Sequence, residues 1–480
     1  MCTIGPSSNS IGVIRALIGA GMDVARLNFS HGTHEEHRAA FATLRNVAAE
    51  LGRNVAVLTD LQGPKIRTGP LENGGPVELE EGASLCVTTR DVPGDASCVS
   101  TTYGGLPNDV RTGDRILLDD GKMELQVEQV APPDVLCRVM RGGPLHEHKG
   151  MNLPGVHVTA PSLTPKDLDD LALAVELGAD YVGLSFVRSP DDMDDIRKRI
   201  ERICAAQGGD GQAPGVVAKI ERPEALDHFD EILRLSDAVM VARGDLGIEV
   251  DLEDVPQIQK DLIGRCNDRG IPVITATQML ESMMNNARPT RAEVTDVANA
   301  IYDGTDAVML SGETAIGRYP YQAVRFMADI AAKADAAVVA RPEERKLAPL
   351  GPDRTAGSHS DAIGAAVSRM SRTLDVVRIV CFTQSGYTAK AIARYRPLTP
   401  VTAITLADET LRRCALIWGV DALKSQEIHD IDDVIVGADT LMIENHLAER
   451  GDTIVIVAGT PVAIAGRTNL LHLHIVGEST

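Results

Sequence analysis

A short cadence recurs along this chain: a small residue and an aspartate, an apolar run, then a stop in polar residues. It appears as GMDVARLNFSHG (21–32), GADYVGLSFVRS (178–189), SDAVMVARGD (236–245) and GTDAVMLSGET (304–314). The segments between, such as PDDMDDIRKRIERICAAQ and LEDVPQIQKDLIGRCNDRG, carry apolar residues at helical spacing. The candidate strands are CTI, VARLNFS, VAVLTDL, YVGLSFV, GVVAKIE, AVMVARG, PVITATQ and AVMLSGE, each followed by a helix directly or after an insert. Eight parallel strands alternating with helices favour an α/β fold closed as a (β/α)8 TIM barrel over an open doubly wound sheet.

The pattern breaks after the third strand. From about residue 69 to 157, short strands with Gly and Pro turns (GPVELEEGASLCVTT, GDRILLDDGKMELQVEQV) predict an inserted β domain, barrel-like and placed as a lid. After the eighth helix, ARPEERKLAPLGPDRTAG reads as a linker, and VVRIVCFTQSG, PVTAIT and DTIVIVAG mark a further α/β domain. The expected division is barrel at 1–68 and 158–345, lid at 69–157 and a C-terminal α/β domain at 356–480.

Composition excludes several classes of partner. Lys plus Arg number 47 against 68 Asp plus Glu, a net charge of −21 that argues against nucleic acid or an anionic membrane. Aromatic residues are 3%, too few for base-stacking platforms. No stretch approaches the about 18 apolar residues of a membrane span, and the N-terminus lacks a basic start leading into an apolar core. A cytoplasmic protein is expected, with its eight cysteines reduced, because they are scattered and include no C-x-x-C pair.

Chemistry in such a barrel sits at the C-terminal ends of the strands. Alternation puts Arg26, Asn28 and Ser30 on one face at the end of the second strand, and Lys219 and Glu221 together at the end of the fifth. Asp245 follows the sixth, Thr275 or Thr277 ends the seventh, and Ser311 and Glu313 end the eighth. The third strand runs into DLQGPKIRTG, which offers Asp60, Lys65 and Arg67, and KGMNLPG brings Lys149 back from the insert. Glu221 and Asp245, without His or Cys beside them, are oxygen donors suited to Mg2+. A glycosidase-like acid/base pair is the competing reading, but it leaves Arg26, Lys65, Arg67 and Lys219 unexplained. Cations around a Mg2+ site point to a phosphoryl group, whose transfer needs positioned positive charge more than covalent help.

Beyond this, CTIGPSS, ARLNFSHG, GPKIRTG, KGMNLPG, AKIERPEAL, VMVARGDLG, TATQMLESM, PTRAEVTDVANAIYDGTDAVMLSGETAIGRYP and RYRPLTP together resemble the pyruvate kinase family, over essentially the whole chain. The resemblance implies the barrel, the β lid and a C-terminal regulatory domain, and transfer of phosphoryl from phosphoenolpyruvate to ADP, giving ATP and pyruvate as the last step of glycolysis. Glu221 and Asp245 then match ligands of Mg2+ (or Mn2+), and Arg26 and Lys219 the cations on the transferring phosphoryl. Gly244 and Asp245 match the backbone that holds the substrate carboxylate, and Thr277 the threonine beside the reacting carbon, with Ser311 and Glu313 as candidates for its proton relay. Asn28, His31, Arg67 and Lys149 match nucleotide-side contacts. A homotetramer is likewise implied, as is an arm before the first strand, the strand within which Met1 is expected to fall.

The family's monovalent-cation site matches Asn28, Ser30, Asp60 and the backbone of Leu61, but the potassium-dependent pattern DTKGPE reads DLQGPK here. Lys65 thus stands where that pattern has glutamate, and its ammonium is expected to replace K+, leaving turnover dependent on Mg2+ alone. In FTQSGYTAKAIARYRP, residues Thr383, Ser385, Gly386 and Thr388 resemble the family's effector-phosphate loop, which implies a phosphorylated allosteric effector. Two further readings are another Mg2+-dependent phosphoenolpyruvate-using barrel, such as an aldolase or mutase, and a non-catalytic sensor of phosphorylated metabolites. The first does not call for Arg67 and Lys149, and the second does not call for an intact Lys219 and both metal carboxylates.

Overall fold

The computed structural model describes residues 1–208, 213–340, 359–425, 430–460 and 468–478. The expected linker falls largely at 341–357, outside the described residues. All eight expected barrel strands form: β1 (Cys2–Ile4), β2 (Val24–Asn28), β3 (Ala56–Asp60), β4 (Tyr181–Leu184), β5 (Gly215–Ile220), β6 (Ala238–Ala242), β7 (Val273–Ala276) and β8 (Ala307–Val308). They pair in that order, all parallel. A parallel bridge between Cys2 and Leu310 joins the last strand to the first, with Thr3 N–H donating to Leu310 O at 3.0 Å. The sheet is therefore a closed (β/α)8 barrel.

The strands are shorter than the apolar runs that announced them. Ser30, Glu221, Asp245, Thr277 and Ser311 all lie past the ladder, where the chain has already left the sheet. Apolar patterning continues through that exit because the first residues of each loop still pack on the barrel, as Phe29 and Leu61 do at 1% exposure each.

The recurring aspartate has a physical role at the opposite, N-terminal end of the barrel. Asp180 accepts the N–H of Val57 at 2.7 Å, Asp237 that of Val216 at 2.8 Å, and Asp306 that of Val273 at 3.0 Å. Each satisfies a backbone donor near the start of the preceding strand, where the ladder offers no acceptor. Helix starts are also written locally: Thr33 with Glu36, Thr164 with Asp167 and Thr290 with Glu293 form reciprocal capping boxes.

The insert between β3 and β4 folds as two sheets. Six strands run in the order Met151–Asn152, Arg115–Leu118, Met123–Ala131, Asp134–Arg141, Ser84–Thr88 and Cys98–Ser100. Val77–Leu79 pairs with Gly143–Leu145 beside them. Leu85, Val87, Leu125, Val127 and Val139 fill its own core. Its neck is two antiparallel passes: Arg67 bridges Gly150, Thr68 N–H donates to Lys149 O at 2.8 Å, and Met151 N–H to Ile66 O at 2.9 Å. Gly63, with φ +68°, makes the exit from the barrel, and a Cβ there would lie 3.0 Å from the side chains of Ser185 and Phe186.

The C-terminal domain holds β9 (Val376–Phe382), β10 (Val401–Thr405), β11 (Val420–Lys424), β12 (Thr453–Ala458) and β13 (Leu470–Ile475). Their order is β11-β10-β9-β12-β13, parallel except for the last pair. The domain docks on the aspartates under the barrel. Arg412 reaches Asp180 at 2.7 Å, Arg396 reaches Asp306 at 2.7 Å, and Tyr181 donates its hydroxyl to Arg413 O.

Candidate active site

One pocket at the C-terminal mouth of the barrel gathers Arg26, Asn28, Ser30, His31, Lys65, Arg67, Lys219, Glu221 and Asp245, with Gln62, Ser185 and Phe186. Residues from β2, β3, β5 and β6 and from the lid neck meet here because each strand ends at the same rim.

Lys219 is the centre of the charge. Its ammonium donates to Ser185 Oγ at 2.6 Å and sits 2.9 Å from Glu221 Oε1 and 3.3 Å from Asp60 Oδ1. Burial alone would depress this ammonium, but Asp60 and Glu221 outweigh it and hold Lys219 above its ordinary value. Burial likewise pushes Asp60 up, and Lys219 and Arg26 reverse that, so Asp60 lies below the usual carboxylate range. Arg26 donates its Nε to Asp60 Oδ2 at 2.6 Å and one Nη to Thr3 Oγ at 3.0 Å. Asp60 therefore stays ionised at 1% exposure and fixes both cations with one carboxylate.

Glu221 is different. It accepts the N–H of Phe186 at 2.7 Å as well as facing Lys219, yet burial first and then the charge of Asp245 leave it above its ordinary value. A buried carboxyl raised in this way by a second carboxylate beside it fits a divalent cation, whose charge removes the penalty on Glu221. Among the described residues no group of three or more His, Cys, Asp or Glu is placed to hold a metal, so the remaining ligands would come from water or substrate.

His31 lies among Arg67, Lys65 and Arg26. Its own burial, then those charges, hold it below its ordinary value, so it is neutral at pH 7. Arg67 extends from the neck and spends one Nη on His148 O at 3.1 Å. Lys149 is not among the residues of this pocket. Its ammonium is paired with Asp119 of the lid at 3.0 Å.

Thr277 stands at the end of β7 with φ +71°, followed by Gln278 at +54°, a conformation that costs a β-branched residue energy. Arg243 holds it there, donating to Thr277 O at 2.8 Å and to Ala276 O at 3.2 Å while paired with Asp296 at 2.7 Å. The Thr277 hydroxyl donates to Ala276 O and accepts Gly244 N–H, both at 2.7 Å. Glu313 is fully buried and accepts the N–H groups of Ser311 (2.7 Å) and Leu280 (3.1 Å), so its carboxylate ties two loops together.

The residues expected at the monovalent-cation site adjoin this cluster. Asn28 Oδ1 accepts Ser30 N–H at 3.2 Å, and Leu61 O accepts Ser185 Oγ at 2.7 Å. Lys65 lies in the same pocket, its ammonium 3.8 Å from Asp245. In the C-terminal domain, Thr383 follows β9, Gly386 (φ +82°) opens the helix Tyr387–Ala393, and Thr388 shares a hydrogen bond with Thr468 at 3.1 Å. Ser385 is exposed.

Sequence reasoning missed Ser185, Phe186 and Arg243. Ser185 and Phe186 sit inside an apolar run, YVGLSFV, where a polar residue reads as a strand position facing the barrel interior. The one signal for Arg243 was its place before Gly-Asp at a strand end.

Comparison with known proteins agrees with this geometry. A model of the pyruvate kinase barrel domain matches residues 1–324, and one of the pyruvate kinase alpha/beta domain matches 361–474. A pyruvate kinase of Staphylococcus saprophyticus is 47% identical over all of this chain and 80% of its own length, and one of Staphylococcus aureus MRSA252 is 45% identical over the same shares. A crystal structure of a pyruvate kinase from Cryptosporidium parvum superposes with a TM-score of 0.91 at 38% identity, covering 99% of this chain and 95% of the other. With its barrel, its α/β domain and its full length matched in this way, the chain belongs to the pyruvate kinase family.

Proposed function

We propose that phosphoryl transfer from phosphoenolpyruvate to ADP takes place in the pocket at the barrel mouth, with Lys219 and Arg26 holding the transferring phosphoryl group. The observation that carries this is the Asp60 bridge: one buried carboxylate orients both cations before substrate arrives. Preorganised charge of this kind lowers the barrier without reorganisation during the reaction. Glu221 and Asp245 would hold Mg2+ or Mn2+, which when bound neutralises phosphoryl charge. Gly244, Asp245 and Thr277 lie on the substrate side, with Thr277 beside the carbon that is protonated as the enolate becomes pyruvate. The Thr277 proton already points to Ala276 O, so the hydroxyl must turn, or a water must act, for that proton to reach substrate.

Asn28, His31 and Arg67 are assigned to the nucleotide side, His31 as a neutral hydrogen-bonding group. Lys149 joins them only after leaving Asp119, which makes it a contact of the closed lid. Lys65 supplies the positive charge that K+ gives other members, so turnover needs the divalent ion alone. Thr383, Ser385, Gly386 and Thr388 form the effector-phosphate loop of a cytoplasmic homotetramer. ADP-dependent pyruvate formation, lost in Lys219→Met, tests the catalytic assignment and separates it from a non-catalytic sensor.

A further inference from the structure

The lid carries two cysteines that neither the fold nor the reaction requires. Cys86 and Cys98 are direct partners in the register of two parallel strands, Ser84–Thr88 and Cys98–Ser100. Neighbouring strands lie about 4.8 Å apart, within the Cα separation a disulfide spans. Register partners project from the same face, and here it is the outer one: the next pair, Val87 and Val99, is buried in the lid core. Both thiols are partly exposed, and they act on each other across the ladder. The lid's third cysteine, Cys137, is opposite Leu85 and faces the core, on the other side of the sheet.

We propose that Cys86 and Cys98 are a reversible thiol/disulfide pair that a hydroperoxide oxidises and that slows the lid. The Cys98 sulfur attacks the peroxide, the O–O bond breaks, and a sulfenic acid forms with release of water or alcohol. The Cys86 sulfur then attacks the sulfenyl sulfur, expelling hydroxide, which leaves as water with the Cys86 proton. Two thiols and one hydroperoxide become one disulfide, one alcohol (or water) and one water. Burial and the neighbouring thiol raise Cys86 to about 12, which disfavours it in the first attack and leaves its proton in place to depart with the expelled hydroxide. A bridge joining adjacent parallel strands is sterically tight, and tight disulfides are the readily reduced ones.

The strand that carries Cys98 connects this pair to the neck of the lid. Ser100 O accepts Gly69 N–H at 2.9 Å, Thr101 bridges Thr68, and Thr102 clasps Arg67 through both its N–H (2.9 Å to Arg67 O) and its Oγ (2.9 Å from Arg67 N). A covalent tie two residues before Ser100 therefore pulls on the segment that positions Arg67.

The full-length protein, reduced and then treated with hydrogen peroxide, alkylated and mapped by mass spectrometry, tests this. The expected result is a linked peptide pair containing Cys86 and Cys98, a several-fold lower kcat, and recovery with dithiothreitol. Cys98→Ser should keep the reduced rate and resist peroxide. Two free alkylated thiols, sulfinic acid without linkage, or linkage with an unchanged kcat would each overturn the proposal.

Discussion

Lys65 Nζ lies 3.8 Å from Asp245 Oδ1, across the pocket that also contains Lys219 and Glu221. The ammonium thus brings fixed positive charge to the carboxylates as well as to the neighbourhood of Asn28 and Ser30. Initial rates in K+-free buffer are expected to match those with K+. Lys65→Glu should lose about 100-fold in the absence of K+ and regain part of it on K+ addition. A wild-type rate that collapses without K+ would refute this role.

Lys219→Met removes the cation that both Asp60 and Glu221 face, so two effects are expected. The kcat should fall about a thousandfold, with a smaller change in KM, because the charge acts most on the transition state. Thermal unfolding should also shift downward, since the variant leaves buried Glu221 without its cation and Asp60 with Arg26 alone. Lys219→Arg, tested alongside, should restore stability more than rate.

Arg243 is a positioning residue, holding Thr277 in its left-handed conformation by two carbonyl contacts and the Asp296 pair. Arg243→Lys cannot reproduce that fork. A kcat loss of about 100-fold is expected with Mg2+ affinity unchanged. A change confined to metal binding would show that the arginine acts elsewhere.

Glu249 links the lid return to the barrel, accepting from Asn152 at 3.0 Å and Arg222 at 2.9 Å. Burial raises its pKa, and Arg222 and Asn152 reverse this only in part. A carboxyl raised on folding binds its proton more tightly in the native state. Its contribution is therefore full below the ordinary value of 4.5 and is lost as pH rises through the folded value. Denaturation midpoints of wild type and Glu249→Gln across this window should converge at the acid end and differ in slope above it. Parallel curves would contradict the assignment.

Arg396 and Asp306 form a pair 4% and 7% exposed beneath the barrel, 2.7 Å apart, with Arg396 also donating to Gly304 O and lying over the Trp418 ring. Arg396→Ala should cost about 3–5 kcal/mol. The expected readout in urea is an earlier transition of the C-terminal domain, followed by the change in Trp418 fluorescence.

The barrel was legible because its signals are local: an aspartate, an apolar run and a helix, repeated. The reason for the aspartate was not legible, since the amides it satisfies belong to strands as far away as Val57 is from Asp180. At the site, residue types and strand ends led to Lys219, Glu221 and Asp245. Spacing could not reveal that Asp60 joins Arg26 to Lys219, because that contact exists only once β2, β3 and β5 share a rim. Nor could it foresee that Lys149 turns toward Asp119, since Asp119 arrives from a lid strand pair whose register the sequence leaves open.

The neck of the lid places Arg67 directly beside Gly150. The 82 residues between them leave and re-enter at a single point, so the lid is a detour in the chain rather than a part of the circuit that closes the barrel. The ring from β1 to β8 keeps its order and its seam whatever hangs from that point. The lid can therefore drift in sequence, shape and rigidity under its own selection, while the wall that carries Lys219 and Glu221 stays the same.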